Sequence, residues 1–248
     1  MYLSGWKYEG RKITDKLHEQ MLGIIEILND ESQVAGRNWP ALQKYISAEM
    51  GIAPGQVRTI KRMMEEFGIV KKGALNASEV PEPNNIYTKS GHTLVELLAT
   101  EKLMRQNLTS DNLETIKEIK EIYKLYYRKV LTEYCYNDGG DLLHPLRATL
   151  KAVKKYGYLN YWEWYILNTV IRNDDDAAEE AELDRLIKEY RSGQLRFKET
   201  DITENMLSHS YVLGNFEYAG LVCVEGSKPN LKITLNKDEM KIIEEIIK

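Results

Sequence analysis

Residues Ile52–Val70, IAPGQVRTIKRMMEEFGIV, decide the fold of this chain. Val57, Ile60, Met64 and Phe67 recur at helical spacing and make one apolar face. Gln56, Arg58, Thr59 and Arg62 fall on or near the opposite face, which is basic and rich in hydrogen-bonding groups. Pro54 suits the first turn of a helix and Gly68 suits its stop. Beyond Gly68 the chain turns apolar and then basic through Ile69, Val70, Lys71 and Lys72, the pattern of a short strand. The spacing predicts a helix packed on its back with a polar front left to solvent or to a partner.

Working outward, the preceding segments read as two more helices. Ile13, Leu17, Met21, Ile24, Ile25 and Leu28 repeat at three and four residues, predicting a helix over Thr14–Asn29. The polar stretch Asp30–Asn38 carries Gly36, and Trp39-Pro40 opens a helix that buries Leu42, Tyr45 and Ile46, with Met50 at its end before Gly51. On the other side, Ser78–Asn85 is a proline-rich loop and Ile86-Tyr87-Thr88 a short return strand. Thr88 or Ser90 then caps a closing helix through Leu94, Val95, Leu97 and Leu98, ending near Gln106.

The second half repeats this grammar. Asp111–Tyr136 reads as a long connecting helix with Leu113, Ile116, Ile119, Tyr123, Tyr126 or Tyr127 and Val130 along one side, stopped by Asn137-Asp-Gly-Gly. Leu143, Leu146, Leu150 and Val153 form the inner face of the next helix, and Arg147, Lys151, Lys154 and Lys155 its solvated outer face. Asn160 with Glu163 makes a capping box for a buried helix, Tyr161–Ile171, and an acidic helix starts at Asp174. A last helix over Ile202–Ala219 leads through Gly220 into the apolar strand Leu221-Val-Cys-Val, as Phe67-Gly-Ile-Val does earlier. Leu231, Ile233 and Leu235 alternate as the return strand, and Asn236 with Glu239 starts a final helix.

A turn, a helix, a glycine and a basic strand resemble the recognition helix and wing of a winged helix-turn-helix. The expected fold is mainly α with small β wings: two tandem winged-helix domains, 1–110 and 141–248, joined by a connecting helix within 111–140. Such a helix can lie in the DNA major groove, where Arg and Gln read base edges and flanking Lys residues meet phosphates. The candidate DNA-facing residues are Arg37, Asn38, Gln56, Arg58, Thr59, Lys61, Arg62, Lys71 and Lys72 in the first unit, and Asn205, Ser208, His209 and Asn215 in the second.

Composition is compatible with this reading. At 248 residues, 43% hydrophobic and 29% charged, the chain has the length of two compact domains. No run approaches the ~18 apolar residues of a membrane span, and MYLSGWKYEGRK lacks a signal-peptide core, so a soluble, cytoplasmic protein is expected. Cys135 and Cys223 lie far apart without metal-ligand spacing, which suggests buried structural thiols. The net charge is -4, but between Ala35 and Asn76 seven bases (Arg37, Lys44, Arg58, Lys61, Arg62, Lys71, Lys72) face three acids (Glu49, Glu65, Glu66), a local +4. Asn173–Glu189 carries eight acids and two bases, -6, which accounts for the overall sign. A basic face on a net-acidic protein remains compatible with DNA, since only groove-facing charge releases counterions.

Further features are similar to the N-terminal specificity region of type IIS restriction and nicking endonucleases. They are Trp6-Lys-Tyr with Arg11, Phe67-Gly-Ile-Val, Tyr87-Thr-Lys-Ser-Gly, His144-Pro-Leu through Tyr156-Gly, and Asn215-Phe-Glu-Tyr-Ala-Gly-Leu-Val. The resemblance implies that tandem winged helices bind an asymmetric site on double-stranded DNA as a monomer, while a separate PD…(D/E)xK nuclease domain or subunit, with Mg²⁺, cuts nearby. This chain departs from that pattern by ending after the second unit. Glu118-Ile-Lys120 falls in a helix, and Glu225-Gly-Ser-Lys228 has the wrong spacing and falls in a turn. No catalytic motif and no cofactor of the chain's own are therefore expected.

Plainer readings stand beside these. On an isolated helix Arg58 and Arg62 would be ordinary solvated charge; the turn before and the strand after give them their meaning. Lys71 and Lys72 could protect a strand edge, a lone His209 is usually structural, and Trp162, Trp164 and Tyr165 without interleaved bases read as core rather than as a base-stacking platform. Two other function classes compete: a free-standing winged-helix regulator or plasmid replication initiator, which would dimerise on a palindrome, and a winged-helix protein-interaction scaffold.

Overall fold

The computed structural model describes residues 1–6, 10–136, 142–203 and 206–248. The chain is mainly helical with a small antiparallel sheet, and divides into two compact units, Glu9–Tyr126 and Met1–Tyr8 with Tyr127–Lys248. The boundary differs from the expected 1–110 and 141–248. It falls inside a continuous helix, and the N-terminal residues join the second unit.

In the unit Glu9–Tyr126, α1 spans Asp15–Asn29, and the Thr14 hydroxyl accepts its cap bond from the Leu17 amide at 3.1 Å. Ile13, Leu17, Met21, Ile24, Ile25 and Leu28 are all buried, as their spacing requires. A short helix the sequence reading lacks, α2 (Glu31–Val34), fills part of the polar stretch, because Asp30 accepts from the Ser32 amide and starts a turn there. Next come α3 (Trp39–Met50), capped by Asn38 and ended by left-handed Gly51, and α4 (Pro54–Glu66). Side chains from α3 hold the turn between them: Gln43 donates to the Pro54 carbonyl at 2.8 Å and Ser47 to that of Ile52 at 2.6 Å.

The end of α4 is a Schellman closure. Gly68 takes φ +64°, its N–H donates to the Glu65 carbonyl at 3.1 Å, and the Ile69 N–H donates to that of Met64 at 2.8 Å. The two expected wing strands shrink to one antiparallel bridge, Val70 to Tyr87. The reason is in the intervening loop, where Pro81 and Pro83 have no N–H to donate and Asn76 ties the backbone into local turns. α5 (Lys89–Gln106) follows with Thr88 as its cap, and the first part of α6 (Ser110–Glu133) buries Ile116, Ile119 and Tyr123. Leu113, expected on that buried side, is 49% exposed.

In the other unit the end of α6 is followed by α7 (Pro145–Tyr156), β1 (Leu159–Asn160), α8 (Tyr161–Val170), α9 (Ala177–Ser192), α10 (Met206–Tyr218), β2 (Val222–Glu225), β3 (Lys232–Leu235) and α11 (Met240–Ile246). The predicted helix stop at Asn137-Asp-Gly-Gly lies outside the described residues. The sheet order is β1-β3-β2, antiparallel, with Leu159 opposite Ile233 and Val224 opposite the same residue on its other side. The Asn160–Glu163 capping box forms as predicted. The acidic helix starts later than expected, with Asp176 as its cap, because Asp174 is drawn into the interior by Arg147 and His144. Leu3 forms a bridge to Ile202, and the Trp6 indole donates to the Ile171 carbonyl at 2.8 Å and meets Trp164 edge-on at 5.4 Å. These contacts bring the N-terminus into this unit.

The two units share one local construction. In the second, Gly220 takes φ +74°, its N–H donates to the Glu217 carbonyl at 2.8 Å, and the Leu221 N–H donates to that of Phe216 at 3.4 Å. In both, the residue after the glycine then accepts from the N–H of a later cap: Ile69 from Thr88 at 3.1 Å, Leu221 from Asn236 at 3.1 Å. The glycine carbonyl accepts from the side chain of that same cap, Gly68 from the Thr88 hydroxyl and Gly220 from the Asn236 amide. Helix end, strand start and next helix cap are thereby locked together twice in the chain.

Candidate nucleic-acid interface

α4 is amphipathic in the sense the sequence predicts. Val57, Ile60, Met63, Met64 and Phe67 are at most 3% exposed and anchor it. Opposite them Gln56, Arg58 and Arg62 are exposed and Thr59 is half-buried, its hydroxyl returned to the Gly55 carbonyl at 3.0 Å. Arg58 and Arg62 lie four residues apart, on one face, and Gln56 and Thr59 three apart, in the neighbouring row. The C-terminal end of the helix is fixed from α6, where the Tyr126 hydroxyl donates to the Phe67 carbonyl at 2.8 Å.

The other candidates of this unit are partly engaged in the fold. Asn38 caps α3 through the Ala41 amide and donates to the Ala77 carbonyl at 2.8 Å, so its first role is to latch the loop onto the helix start. Arg37 donates to the Gln33 carbonyl at 2.6 Å and stacks over Tyr45 at 4.7 Å. Lys61 pairs with Glu65 at 2.7 Å and lies 5.8 Å from the Trp39 ring, to the side of the exposed face. Lys71 donates to Asn85 at 2.7 Å, and Lys72 pairs with Glu66 at 3.2 Å. Lys44, counted in the sequence only for its charge, stands exposed on α3 beside Gln43. Its signal was the polar outer row of that helix.

No protein-family model matches this chain, and no curated protein sequence matches it either.

In the second unit the candidates fare differently. Asn205 lies outside the described residues, as do the side chains of Ser208 and His209. Asn215 is 1% exposed, which corrects its assignment: it is a core residue of α10, on the same side as Val212 and Phe216, and offers nothing to a groove. The basic outer face of α7 is not simply solvated. Arg147 holds Asp174 and Asp175, Lys151 holds Asp175 at 3.0 Å, and Lys155 holds Glu180 and Asp184, each at 2.8 Å. Burial raises the pKa of Asp174, but the bonds from Arg147 and His144 outweigh it and keep the carboxyl below the usual range. Four acids of the segment that gives the chain its net charge, Asp174, Asp175, Glu180 and Asp184, are thus paired with the cations of α7.

The thiols are not the buried pair expected. Cys223 falls on the exposed row of β2, next to buried Val222, and Cys135 is half-buried just beyond the end of α6. Among the described residues no three His, Cys, Asp or Glu side chains are placed to share a metal ion, and no helix is long and apolar enough to cross a membrane.

Proposed function

We propose that this chain is a sequence-specific double-stranded DNA recognition module of the type IIS restriction kind, built from tandem winged helices. The observation that carries it is the front of α4, where Gln56, Arg58 and Arg62 project from a helix whose whole back is core and whose two ends are clamped. Rigid mounting of Arg and Gln is what base readout needs, since a bidentate pair to guanine or adenine discriminates only when its geometry is fixed. The architecture supports the reading in both units. Each ends its helical part in a left-handed glycine followed by a β hairpin or bridge and a further helix cap, and the second adds the short β1 at the edge of the hairpin in the order β1-β3-β2.

Cytoplasmic location, action as a monomer on an asymmetric site, and a nuclease domain or subunit that cuts with Mg²⁺ belong to the same proposal. The test is selection from random duplexes with the full chain, then titration of the enriched duplex. Arg58→Ala and Arg62→Ala should each cost about 1–3 kcal/mol on that duplex and less on unrelated DNA. Absence of any enriched sequence would remove the proposal. An inverted repeat bound by two chains in sedimentation would replace it with a dimeric regulator.

A further inference from the structure

We infer that the loop between the bridge residues Val70 and Tyr87 stays off the DNA, and that Lys44 on α3, not Lys71 or Lys72, supplies the phosphate contact beside the reading helix. This rests on the proposal that α4 faces DNA.

Both loop lysines are exposed, but each is engaged by a neighbour on the protein surface. Lys71 crosses the base of the loop to Asn85 at 2.7 Å, and Lys72 turns to Glu66 at 3.2 Å. From Gly73 to Asn85 the charged residues are Glu79 and Glu82, both exposed, so the tip carries -2 where a phosphate-binding arm would be positive. Nor is the loop an extended arm. The Asn76 side chain accepts from the Ser78 and Glu79 amides at 2.8 and 2.9 Å, and its carbonyl accepts from the Trp39 amide at 3.0 Å. Leu75 is 2% exposed, and Asn38 holds the Ala77 carbonyl. The loop is therefore folded down on the start of α3.

Lys44 is placed differently. It is exposed, has no hydrogen bond or ion pair among the described residues, and follows Gln43, whose amide holds the Pro54 carbonyl at the entry to α4. In a helix-turn-helix the first helix crosses the DNA backbone while the second enters the groove, which puts a cation at this position against phosphate.

The salt dependence of binding tests this on the full chain with its selected duplex. Lys44→Ala should lower the slope of log K against log salt by about 1 and weaken binding to all duplexes alike. The double variant Lys71→Ala/Lys72→Ala should keep the slope and stay within about twofold of wild-type affinity, as should Glu79→Gln/Glu82→Gln. All of these side chains are exposed, and unchanged thermal unfolding verifies that each variant is folded. A slope lowered by about 2 in the lysine pair, or tighter binding by the glutamine pair, would overturn the inference. In that case Arg58→Ala would still weaken binding, whereas a failure of the DNA proposal itself would leave every variant equal to wild type.

Discussion

Gly91 lies against the carbonyl of Ile69 so closely that a Cβ at residue 91 would run into that oxygen. The neighbouring atoms are also backbone, the Ile69 carbonyl carbon at 2.6 Å and Cα at 2.7 Å, so no side chain can swing aside. Glycine is needed here for space, at the point where the first turn of α5 sits on the chain leaving α4. Gly91→Ala should destabilise the unit Glu9–Tyr126 by about 2–4 kcal/mol in urea titrations, with Lys89→Ala as the near-neutral control. A Gly91→Ala variant as stable as wild type would mean that the close approach is not obligatory.

Arg128 plays a comparable part in the other unit. It is 7% exposed, donates to the Ala219 carbonyl at 3.0 Å, and grips Glu239 with both terminal nitrogens at 3.0 and 2.7 Å. Arg128→Ala removes the donor to that carbonyl and the counter-charge of a half-buried carboxylate, and should cost on the order of 2–4 kcal/mol. Arg128→Lys should recover only part of this, because one ammonium cannot serve both acceptors in a fixed fork. Thermal unfolding of the two variants gives the comparison; equal melting temperatures for them would show that fork geometry is unimportant.

His18 makes stability depend on pH. Burial on α1, edge-on to Tyr123 at 4.8 Å, lowers its pKa from 6.5 to about 4, against the opposing pull of Glu101 and Asp15 and with a smaller repulsion from Lys120. It also lines a cavity of about 410 Å³ with Asp15, Glu19, Glu26, Glu101, Lys102 and Arg105. Since the folded pKa lies below the unfolded one, the unfolded chain takes up the proton first. The stability of the neutral form is fully present above pH 6.5 and is lost as pH falls toward about 4, by an amount on the order of 3 kcal/mol. Denaturation at a series of pH values should show this slope, and His18→Gln should flatten it. A slope unchanged in the variant would assign it to other groups.

The chain by itself should leave supercoiled plasmid intact with Mg²⁺ or Mn²⁺. Glu118 and Lys120 lie on α6, where Lys120 is taken up by Asp15 at 2.9 Å, and Glu225 ends β2 with Lys228 in the turn beyond. Neither pair has the strand-borne carboxylate and lysine spacing of a PD…(D/E)xK site. Metal-dependent nicking that disappears with a chelator would reveal an active site elsewhere in the chain.

What the sequence determined by itself was local. Thr14, Asn38, Thr88 and the Asn160–Glu163 pair mark helix starts, because a cap bonds only to the next turn of its own helix. Gly51, Gly68 and Gly220 mark helix ends through the left-handed backbone that glycine adopts without strain, and the buried face of α4 followed from period alone. Tertiary structure decided whatever needed a partner far along the chain. The two-residue β1 exists because Leu159 meets Ile233, and no pattern of two residues can announce a strand. Leu3 and Trp6 belong with residues near 202 and 164–171, not with the helix that follows them. The same holds for the candidate interface. Arg147 and Lys151 look like free surface until Asp174 and Asp175 arrive beside them, and Asn215 looks like a reader until α10 turns it inward. Residue type and period set the apolar face of a helix, but which polar side chains stay free and which are taken up is fixed by segments that arrive from elsewhere in the chain, as Asp174 does beside Arg147 and Ile171 beside Trp6.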